Sequence, residues 1–336
     1  MTVSTTDSND EPFHRTLDQV FAWGTPPPIP PAGLADELAT FLTNRLTQDL
    51  PRVHRLAETA YRRRILITKS KLARLSCDGW QHDPLPYTHN WNNVRGVLVH
   101  AVIAQDLRER RARDVLDVLR GVWRAHASDN PGDPTSMAAW LNQQTREDAQ
   151  TMADQICQQI AIHRNVWPLI DNTQAVLQAE RSLEYTLHGL PLALRGVPDL
   201  VVNSTTQDAA ARSVVIDWKT GLPRPENDRA DARFYALLFT LATGKPPKRW
   251  ATFYIAEGRA EVEEFRAEAL FAAAAQCVAT VGQLLRLQAV ADGNDEDDIF
   301  TLRGGSWCRF CARQPHCPSA VPTETKAVTH DTDDGW

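Results

Sequence analysis

Two aspartates and a lysine lie in the pattern of a site that binds a divalent cation next to a phosphate. Residues 214–219 read VVIDWK, an alternating pattern that predicts a strand with Asp217 and Lys219 on one face, their Cα atoms about 7 Å apart. Asp199 follows Pro198 and precedes a second apolar run, so two carboxylates can stand on neighbouring strands. Carboxylate oxygens bind Mg²⁺, and a lysine beside them can orient a water or stabilise charge on a phosphate. The pattern favours hydrolysis of a phosphodiester. The same sequence would also result if Asp199 lay in a turn and Asp217 and Lys219 formed an exposed charged pair on an amphipathic strand.

A compact set of cysteines late in the chain indicates a second metal site. Cys308, Cys311 and Cys317 lie within ten residues, although the whole chain has only six cysteines. A four-coordinate site needs one more ligand: zinc could take His316 or another thiolate, whereas a [4Fe–4S] cluster is held by four cysteines. Cys77, at the end of a short predicted helix, is the candidate for the fourth thiolate.

The elements that must position these residues predict an α/β fold. Apolar residues at helical spacing favour helices over much of residues 34–181, and shorter apolar or alternating runs after residue 182 favour strands. The predicted elements are helices at 34–64 with a break at Pro51, 70–77, 92–127 and onward to about 181, 231–242 and 262–290, and strands at 183–187, 192–202, 213–219 and 250–255. The first two strands are expected to form a hairpin across His188 and Gly189. This order of elements indicates a mixed sheet flanked by helices.

Composition describes a folded chain without a large excess of either charge. Of the 336 residues, 43% are hydrophobic and 23% are charged, and the net charge of −6 argues against coating nucleic acid by bulk attraction. The basic stretches at 62–71 and 108–113 are interpreted as solvated helix faces. Neither a secretory signal nor an apolar run long enough for a bilayer is seen. A cytoplasmic protein without membrane contact is expected, in which cysteines serve as metal ligands or buried thiols.

The order of these motifs resembles that of RecB-like PD-(D/E)XK nucleases. Pro198-Asp199, followed by Asp217-Trp218-Lys219-Thr220-Gly221, is similar to the Asp and Asp-x-Lys signature of that family. One cysteine before the core and three after it resemble the iron–sulfur closure of the AddB nuclease domain and the CRISPR-adaptation nucleases. The resemblance implies a [4Fe–4S] cluster on Cys77, Cys308, Cys311 and Cys317.

The resemblance covers about residues 65–320 and implies a restriction-endonuclease-like core, with a mixed central sheet flanked by helices and a helical insertion. Around this nuclease domain we expect a flexible proline-rich arm at 1–33, a helical extension at 34–64 and a disordered tail at 321–336.

The resemblance also implies roles for individual residues. Asp199 and Asp217 are expected to bind Mg²⁺ or Mn²⁺, and Lys219 to serve catalysis. His100, in the pattern Gly96-x-x-x-His100, points towards the core from its predicted helix and is expected to join the metal site. A satisfied core histidine is the alternative interpretation of His100.

Three further positions match the family less closely or are ambiguous. Tyr235 fits a tyrosine that faces the active site, but Asp231 stands four residues earlier, where the family usually has glutamine. Glu184 lies near the first strand, where the family often has a glutamate, and a half-buried glutamate at a strand edge is an equally good account.

Three functions remain to be distinguished. The first is a metal-dependent DNA nuclease that acts on single strands or DNA ends in repair, recombination or defence. It would work with a separate helicase, because no Gly-x4-Gly-Lys-Ser/Thr loop occurs in the chain. The second is a non-catalytic, nuclease-derived DNA-binding or scaffolding subunit, against which the intact charged residues speak. The third is a zinc-ribbon nucleic-acid binder in which the acidic pair is incidental.

Overall fold

The computed structural model describes residues 20–21, 29–167, 175–204, 213–295 and 299–321. Most of the expected proline-rich arm, and the expected tail beyond residue 321, lie outside these residues. The helices are α1 Leu34–Thr47, α2 Leu50–Ala60, α3 Lys69–Ala73, α4 Asp78–His82, α5 Trp91–Arg108, α6 Val115–Ala127, α7 Met137–Asn142, α8 Arg146–Val166, α9 Pro225–Thr243 and α10 Ala267–Ala291. The strands are β1 Ile65–Ile67, β2 Ala175–Ala179, β3 Leu183–Thr186, β4 Leu192–Gly196, β5 Leu200–Ser204, β6 Val214–Lys219, β7 Arg249–Tyr254 and β8 Arg259–Glu264.

These strands form two sheets that both mix parallel and antiparallel pairs. Five strands lie in the order β2-β5-β6-β7-β8, and three lie in the order β1-β4-β3. In the larger sheet β6 and β7 are parallel, because α9 carries the chain back between them, and the other neighbours are antiparallel. In the smaller sheet β1 is parallel to β4, and β3 and β4 form the expected hairpin. The predicted fold class, a mixed α/β core flanked by helices, is confirmed.

Strand β6 lies at the centre of the larger sheet and is buried on both faces. Val214, Ile216 and Trp218 pack into a core that they share with α5, α6 and α8. Val215 packs on the opposite side, into a core shared with α1, α2, α9 and α10. The predicted alternation along β6 is therefore confirmed. It directs Asp217 and Lys219 towards α9.

The strand predicted over residues 192–202 is in fact two strands in different sheets. β4 ends at Gly196 and pairs with β1 and β3, whereas β5 begins at Leu200 and pairs with β2 and β6. Pro198, between them, has no N–H to donate to a ladder, so the chain can leave one sheet here and enter the other. This break places Asp199 immediately before β5.

Three strands were not predicted. β1 has only three residues, and β2 lies in a region that was interpreted as helical. β8 reads RAEVEE and is an edge strand, where charged side chains are tolerated because one flank faces solvent. Its polar letters were interpreted as the first turn of the last helix, so that helix begins at Ala267 and not at residue 262.

The basic stretch after α5 is partly structural, so its interpretation as a solvated helix face is wrong for Arg111. Arg110 and Arg111 turn the chain with φ angles of 54° and 56°. The Arg111 side chain is only 13% exposed and donates to the carbonyl oxygens of Arg164, at 3.0 Å, and Trp167. Arg164 in turn pairs with the buried carboxylate of Asp106. Arg111 therefore fastens the end of α5 to the end of α8.

Among the described residues, α10 is the one helix long and apolar enough to cross a membrane, but it packs as a core helix. Half of the most apolar 18-residue stretch of this helix is buried inside the protein. Its polar side chains also have internal partners: Gln283 donates to the Arg74 carbonyl at 3.2 Å, and Arg286 forms two bonds of 2.8 and 2.9 Å to the buried carboxylate of Asp78. These contacts dock α4 and the segment before it on α10.

Candidate active site

The two predicted aspartates stand side by side on neighbouring strands. β5 and β6 are antiparallel with Leu200 opposite Ile216, so Asp199 stands opposite Asp217 one residue further along. Asp199 is 8% exposed and Asp217 is 2% exposed. Asp199 Oδ2 accepts the backbone N–H of Trp218 at 2.6 Å, which fixes the orientation of this carboxylate beside β6.

His100 reaches the same carboxylate from helix α5. The helix begins after a capping box at Asn90, and one turn before His100 it passes close to the end of β6. Gly96 permits this approach, because a Cβ atom there would lie 3.0 Å from Thr220 Oγ1. His100 Nδ1 lies 3.0 Å from Asp199 Oδ1. Of the three residues that were expected to bind metal, His100 and Asp199 are thus in contact, and Asp217 stands opposite Asp199 on the neighbouring strand.

Glu180 is a further candidate ligand that the sequence did not single out. Ligand atoms of His100, Glu180 and Asp199 all lie within 4.8 Å of one another, the one such group found in the described part of the chain. Glu180 has a φ of 55°, a conformation that costs a non-glycine residue on the order of 1 kcal/mol. Its N–H donates to the Asp199 carbonyl at 3.0 Å, which holds this turn beside the site. Glu184 instead pairs with Arg64 at 2.8 Å, as expected of a strand-edge glutamate.

Lys219 lies among three carboxylates at the end of β6. Its Nζ atom is 2.9 Å from Asp217, 3.4 Å from Asp228 and 2.7 Å from Asp231. Asp228 is itself fixed, since its Oδ2 accepts the Arg224 N–H at 2.7 Å and the Tyr254 hydroxyl at 3.1 Å. Asp231, which departs from the family's glutamine, therefore holds Lys219 from helix α9.

A second ammonium group approaches Asp217 from helix α3. Lys69 Nζ lies 3.2 Å from Asp217 Oδ1 and 3.7 Å from Asp231 Oδ2. It also lies 5.2 Å from the ring centroid of Tyr235, the tyrosine that was expected to face the site. Tyr235 is 5% exposed, and Gly196 packs against its ring. The interpretation of Lys69 as part of a solvated face is wrong.

The charges of this cluster stabilise one another inside the protein. Burial alone would raise the pKa of Asp217, but the ammonium groups of Lys69 and Lys219 hold that pKa well below its usual range. Burial opposes charge on Lys219 as well, yet Asp217 and Asp231 raise the pKa of Lys219 above its usual range. Burial lowers the pKa of His100, but the Asp199 carboxylate more than offsets this, and the net shift is upward. Asp217 and Lys219 are therefore both charged over the ordinary pH range.

The donor set suits a small, hard divalent cation. The carboxylates of Asp199 and Glu180 offer oxygen atoms, and His100 offers one imidazole nitrogen. The Asp217 carboxylate stands opposite Asp199 on the neighbouring strand but lies outside this close group. A set dominated by carboxylates is typical of Mg²⁺ and Mn²⁺. Desolvation and the neighbouring Asp199 raise the pKa of Glu180, which is the electrostatic cost of grouping carboxylates and would be relieved by a bound cation. The site can thus hold a divalent metal beside the ammonium group of Lys219.

The four cysteines that were expected to bind a cluster line one small cavity, which Cys77, Cys308, Cys311 and Cys317 share with the stacked rings of Trp80 and Trp307. In the described chain no three of these sulfur atoms lie within 4.8 Å of one another. Sulfur atoms around one tetrahedral zinc ion would be about 3.8 Å apart, given Zn–S bonds of about 2.3 Å. His316, the alternative zinc ligand, does not line the cavity. The four thiols thus line one small cavity, and no three of them have the spacing of a closed zinc site.

Sequence reasoning missed three contributors to the acidic site, namely Glu180, Asp228 and Lys69. Asp228 could have been found from helical spacing, because it stands three residues before Asp231 and seven before Tyr235 on one face of α9. Glu180 and Lys69 carry no local signal. Their approach to the site depends on how β2 pairs with β5 and β1 with β4.

The match to one family model agrees with this geometry. The model of the PD-(D/E)XK nuclease superfamily matches residues 84–318, which include every predicted site residue except Cys77. No curated protein matches the sequence. The solved crystal structure of SSO0001 covers 84% of this chain and 96% of its own length at 12% identity, with a TM-score of 0.29. Because the family model spans most of the chain, and because Asp199, Asp217 and Lys219 converge at the end of β6, the chain belongs to the PD-(D/E)XK nuclease superfamily.

Proposed function

We propose that this protein is a Mg²⁺- or Mn²⁺-dependent deoxyribonuclease of the RecB-like branch, which hydrolyses phosphodiester bonds on single strands or DNA ends. The observation that carries the proposal is the grouping of His100, Asp199, Asp217 and Lys219 at the end of β6. These residues come from α5, from the residue just before β5, and from β6. Members of this superfamily are typically nucleases. A purely structural charge cluster would not require a histidine and a strained glutamate next to the same aspartate.

In this proposal each side chain has a defined task. His100, Glu180, Asp199 and Asp217 hold the cation, which when bound acidifies a water and offsets charge on the phosphate. Lys219 donates from its ammonium group to the attacking water or to a phosphate oxygen, because it already lies 2.9 Å from Asp217. Asp228 and Asp231 keep that ammonium group protonated and in position.

The cysteine cavity is proposed to hold a [4Fe–4S] cluster. Support comes from the four thiols that line one cavity and from the absence of His316 from that lining. Its task in this chain is structural, since it would join the start and the end of the nuclease domain. Brown protein with iron and acid-labile sulfide is the expected result of metal analysis, and zinc without iron would overturn this part of the proposal.

Cellular context follows from the same proposal. A nuclease without a motor of its own would work beside a separate helicase, or in a repair, recombination or defence complex in the cytoplasm. A net charge of −6 agrees with binding at a local site and not along the length of the nucleic acid.

The first test is cleavage of end-labelled single-stranded DNA by anaerobically purified protein in the presence of Mn²⁺. Asp217→Asn and Lys219→Met each remove one charge at nearly constant volume, and each is expected to lower the cleavage rate by about 100-fold or more. Asp117→Asn is the matched control, because the Asp117 side chain is exposed on α6 and pairs with Arg120 on its own helix. This control should cleave at the wild-type rate.

Two results would contradict the nuclease proposal. Wild-type protein that retains its colour but cuts neither DNA nor RNA would indicate the non-catalytic scaffolding function. Undiminished cleavage by both site variants would indicate a contaminating nuclease. End-labelled and internally labelled substrates, compared in the same assay, distinguish attack at ends from attack within the strand.

A further inference from the structure

Lys69 enters the active site from a segment that precedes the region matched by the family model, which begins at residue 84. Two features place it there. β1 pairs in parallel with β4, and α3 begins directly after β1 with Lys69 as its first residue. The side chain can therefore reach Asp217, which lies 148 residues later in the chain.

Lys69 and Lys219 are held very differently, although both contact Asp217. Lys219 is 13% exposed and lies within 3.4 Å of three carboxylates, so it is enclosed by the protein. Lys69 is 35% exposed, and its two carboxylate contacts are longer, at 3.2 and 3.7 Å. Lys69 is thus the more loosely held cation, on the solvent side of the cluster.

A cation bound at Asp217 would compete with Lys69 for the same carboxylate, since both are positive and lie on the same side chain. The lysine stem is long and flexible, and its ammonium group is a common ligand of phosphate oxygens. The Tyr235 ring lies 5.2 Å from Nζ and would keep the released ammonium group near the mouth of the site.

We propose that Lys69 is a substrate-binding residue, whose ammonium group leaves Asp217 when metal and DNA bind and contacts a backbone phosphate of the strand at the mouth of the site. This inference rests on the proposed nuclease function and assigns one phosphate contact to a residue outside the nuclease motifs. Its role is in binding, so Lys69 differs from Lys219, whose role is in the chemical step.

The test compares Lys69→Met, which removes the charge at similar length, with Lys69→Arg, which keeps it. Lys71→Met is the matched control, because Lys71 lies on the same helix but donates to the Leu66 carbonyl and stacks over Tyr61. Lys69→Met is expected to raise KM about 10-fold while kcat changes little, which corresponds to about 1.4 kcal/mol of binding. Lys69→Arg should restore most of this loss, and Lys71→Met should leave KM unchanged.

Binding without cleavage provides the second readout. Anisotropy of fluorescent single-stranded DNA in Ca²⁺ buffer gives Kd as a function of salt, and loss of one phosphate contact should reduce the slope of log Kd against log salt by about 0.7. An unchanged slope and KM in Lys69→Met, with wild-type cleavage intact, would show that Lys69 is only a counter-ion. An equal defect in Lys71→Met would also overturn the inference. Wild-type protein that neither binds nor cuts DNA would instead contradict the nuclease function itself.

Discussion

At the scale of single residues, the acidic site works because opposite charges are enclosed together. Asp217 is almost fully buried, and its charge is stabilised by two ammonium groups, that of Lys219 from its own strand and that of Lys69 from α3. The sequence alone singles out four site residues, because their types and spacing match the motifs of a known family. They are His100, Asp199, Asp217 and Lys219. Lys69 and Glu180 could not be singled out, because only the folded chain brings them near. The individual roles of all these residues stay predictions until the variants are measured.

A different buried residue predicts how stability depends on pH. His163 is fully buried against the stacked ring of Trp167, at 5.7 Å between centroids, and the edges of Trp218 and Phe253. Burial lowers its pKa to about 3, with a smaller contribution from nearby arginines. The unfolded chain takes up a proton near pH 6.5 and the folded protein does not, so this contribution to stability is complete above pH 6.5 and is lost as pH falls towards 3.

Replacing His163 with phenylalanine should remove this dependence. Between pH 7 and pH 5 the wild type is expected to lose about 2 kcal/mol more of its unfolding free energy than His163→Phe loses. Urea unfolding at each pH measures the difference, and His188→Gln, at an exposed turn position, should follow the wild type. Parallel curves for the wild type and His163→Phe would show that His163 is protonated in the folded state.

At the scale of elements, the site depends on close packing between strands and helices. β4 approaches α9 where Gly196 faces Tyr235, and α5 approaches β6 where Gly96 faces Thr220. Strand β6 could be predicted from the sequence, because the alternation of its side chains indicates which side of the sheet each residue faces. The sequence of residues 192–202 did not predict that β4 and β5 belong to different sheets. Pro198 indicates a break in the strand, but it does not indicate which sheet each part joins.

The contact between β4 and α9 can be tested with one added methyl group. A Cβ atom at residue 196 would lie 2.8 Å from Tyr235 Cε1, so the ring must shift in Gly196→Ala. We expect a loss of about 1–3 kcal/mol in unfolding free energy from this overpacking, with weaker DNA cleavage because Tyr235 supports Lys69.

Gly282→Ala is the matched control for this change, since nothing lies within 4 Å of a Cβ atom there and the residue is inside α10. It should stabilise the protein by up to about 1 kcal/mol. Thermal melts and DNA cleavage assays of both variants test this prediction. A Gly196→Ala protein as stable and as active as the wild type would show that the Tyr235 ring shifts without a loss of stability.

At the scale of the whole molecule, the last described segment closes the fold against the segment that follows α4. Backbone hydrogen bonds of 2.8 Å join Leu85 to Phe310 and Ala312 to Asp83. Pro84 and Cys311 also form an isolated antiparallel β-bridge. This closure was expected from the one-plus-three cysteine pattern, and the structure brings those cysteines to one cavity. The domain boundaries stay a prediction, and α1 and α2 share the core of α9 and α10.

A bound cluster would make this closure strong. By the chain-entropy model, a cross-link between Cys77 and the late cysteines is worth on the order of 5 kcal/mol. Cys311→Ser is therefore expected to lose the brown colour and several kcal/mol of unfolding free energy, whereas Cys157→Ser, on α8 away from the cavity, should keep both. A colourless Cys311→Ser protein with the wild-type melting temperature would show that the cluster does not hold the ends together.

The positions of the four cysteines also constrain when the protein can be completed during synthesis. Cys77 leaves the ribosome 231 residues before Cys308, which at ordinary elongation rates is roughly 10–50 s earlier. All the strands that carry the acidic residues are made within that interval. The acidic residues can therefore come together while Cys77 still lacks its partners, and a cluster on the four cysteines, if the proposal holds, could form only after them.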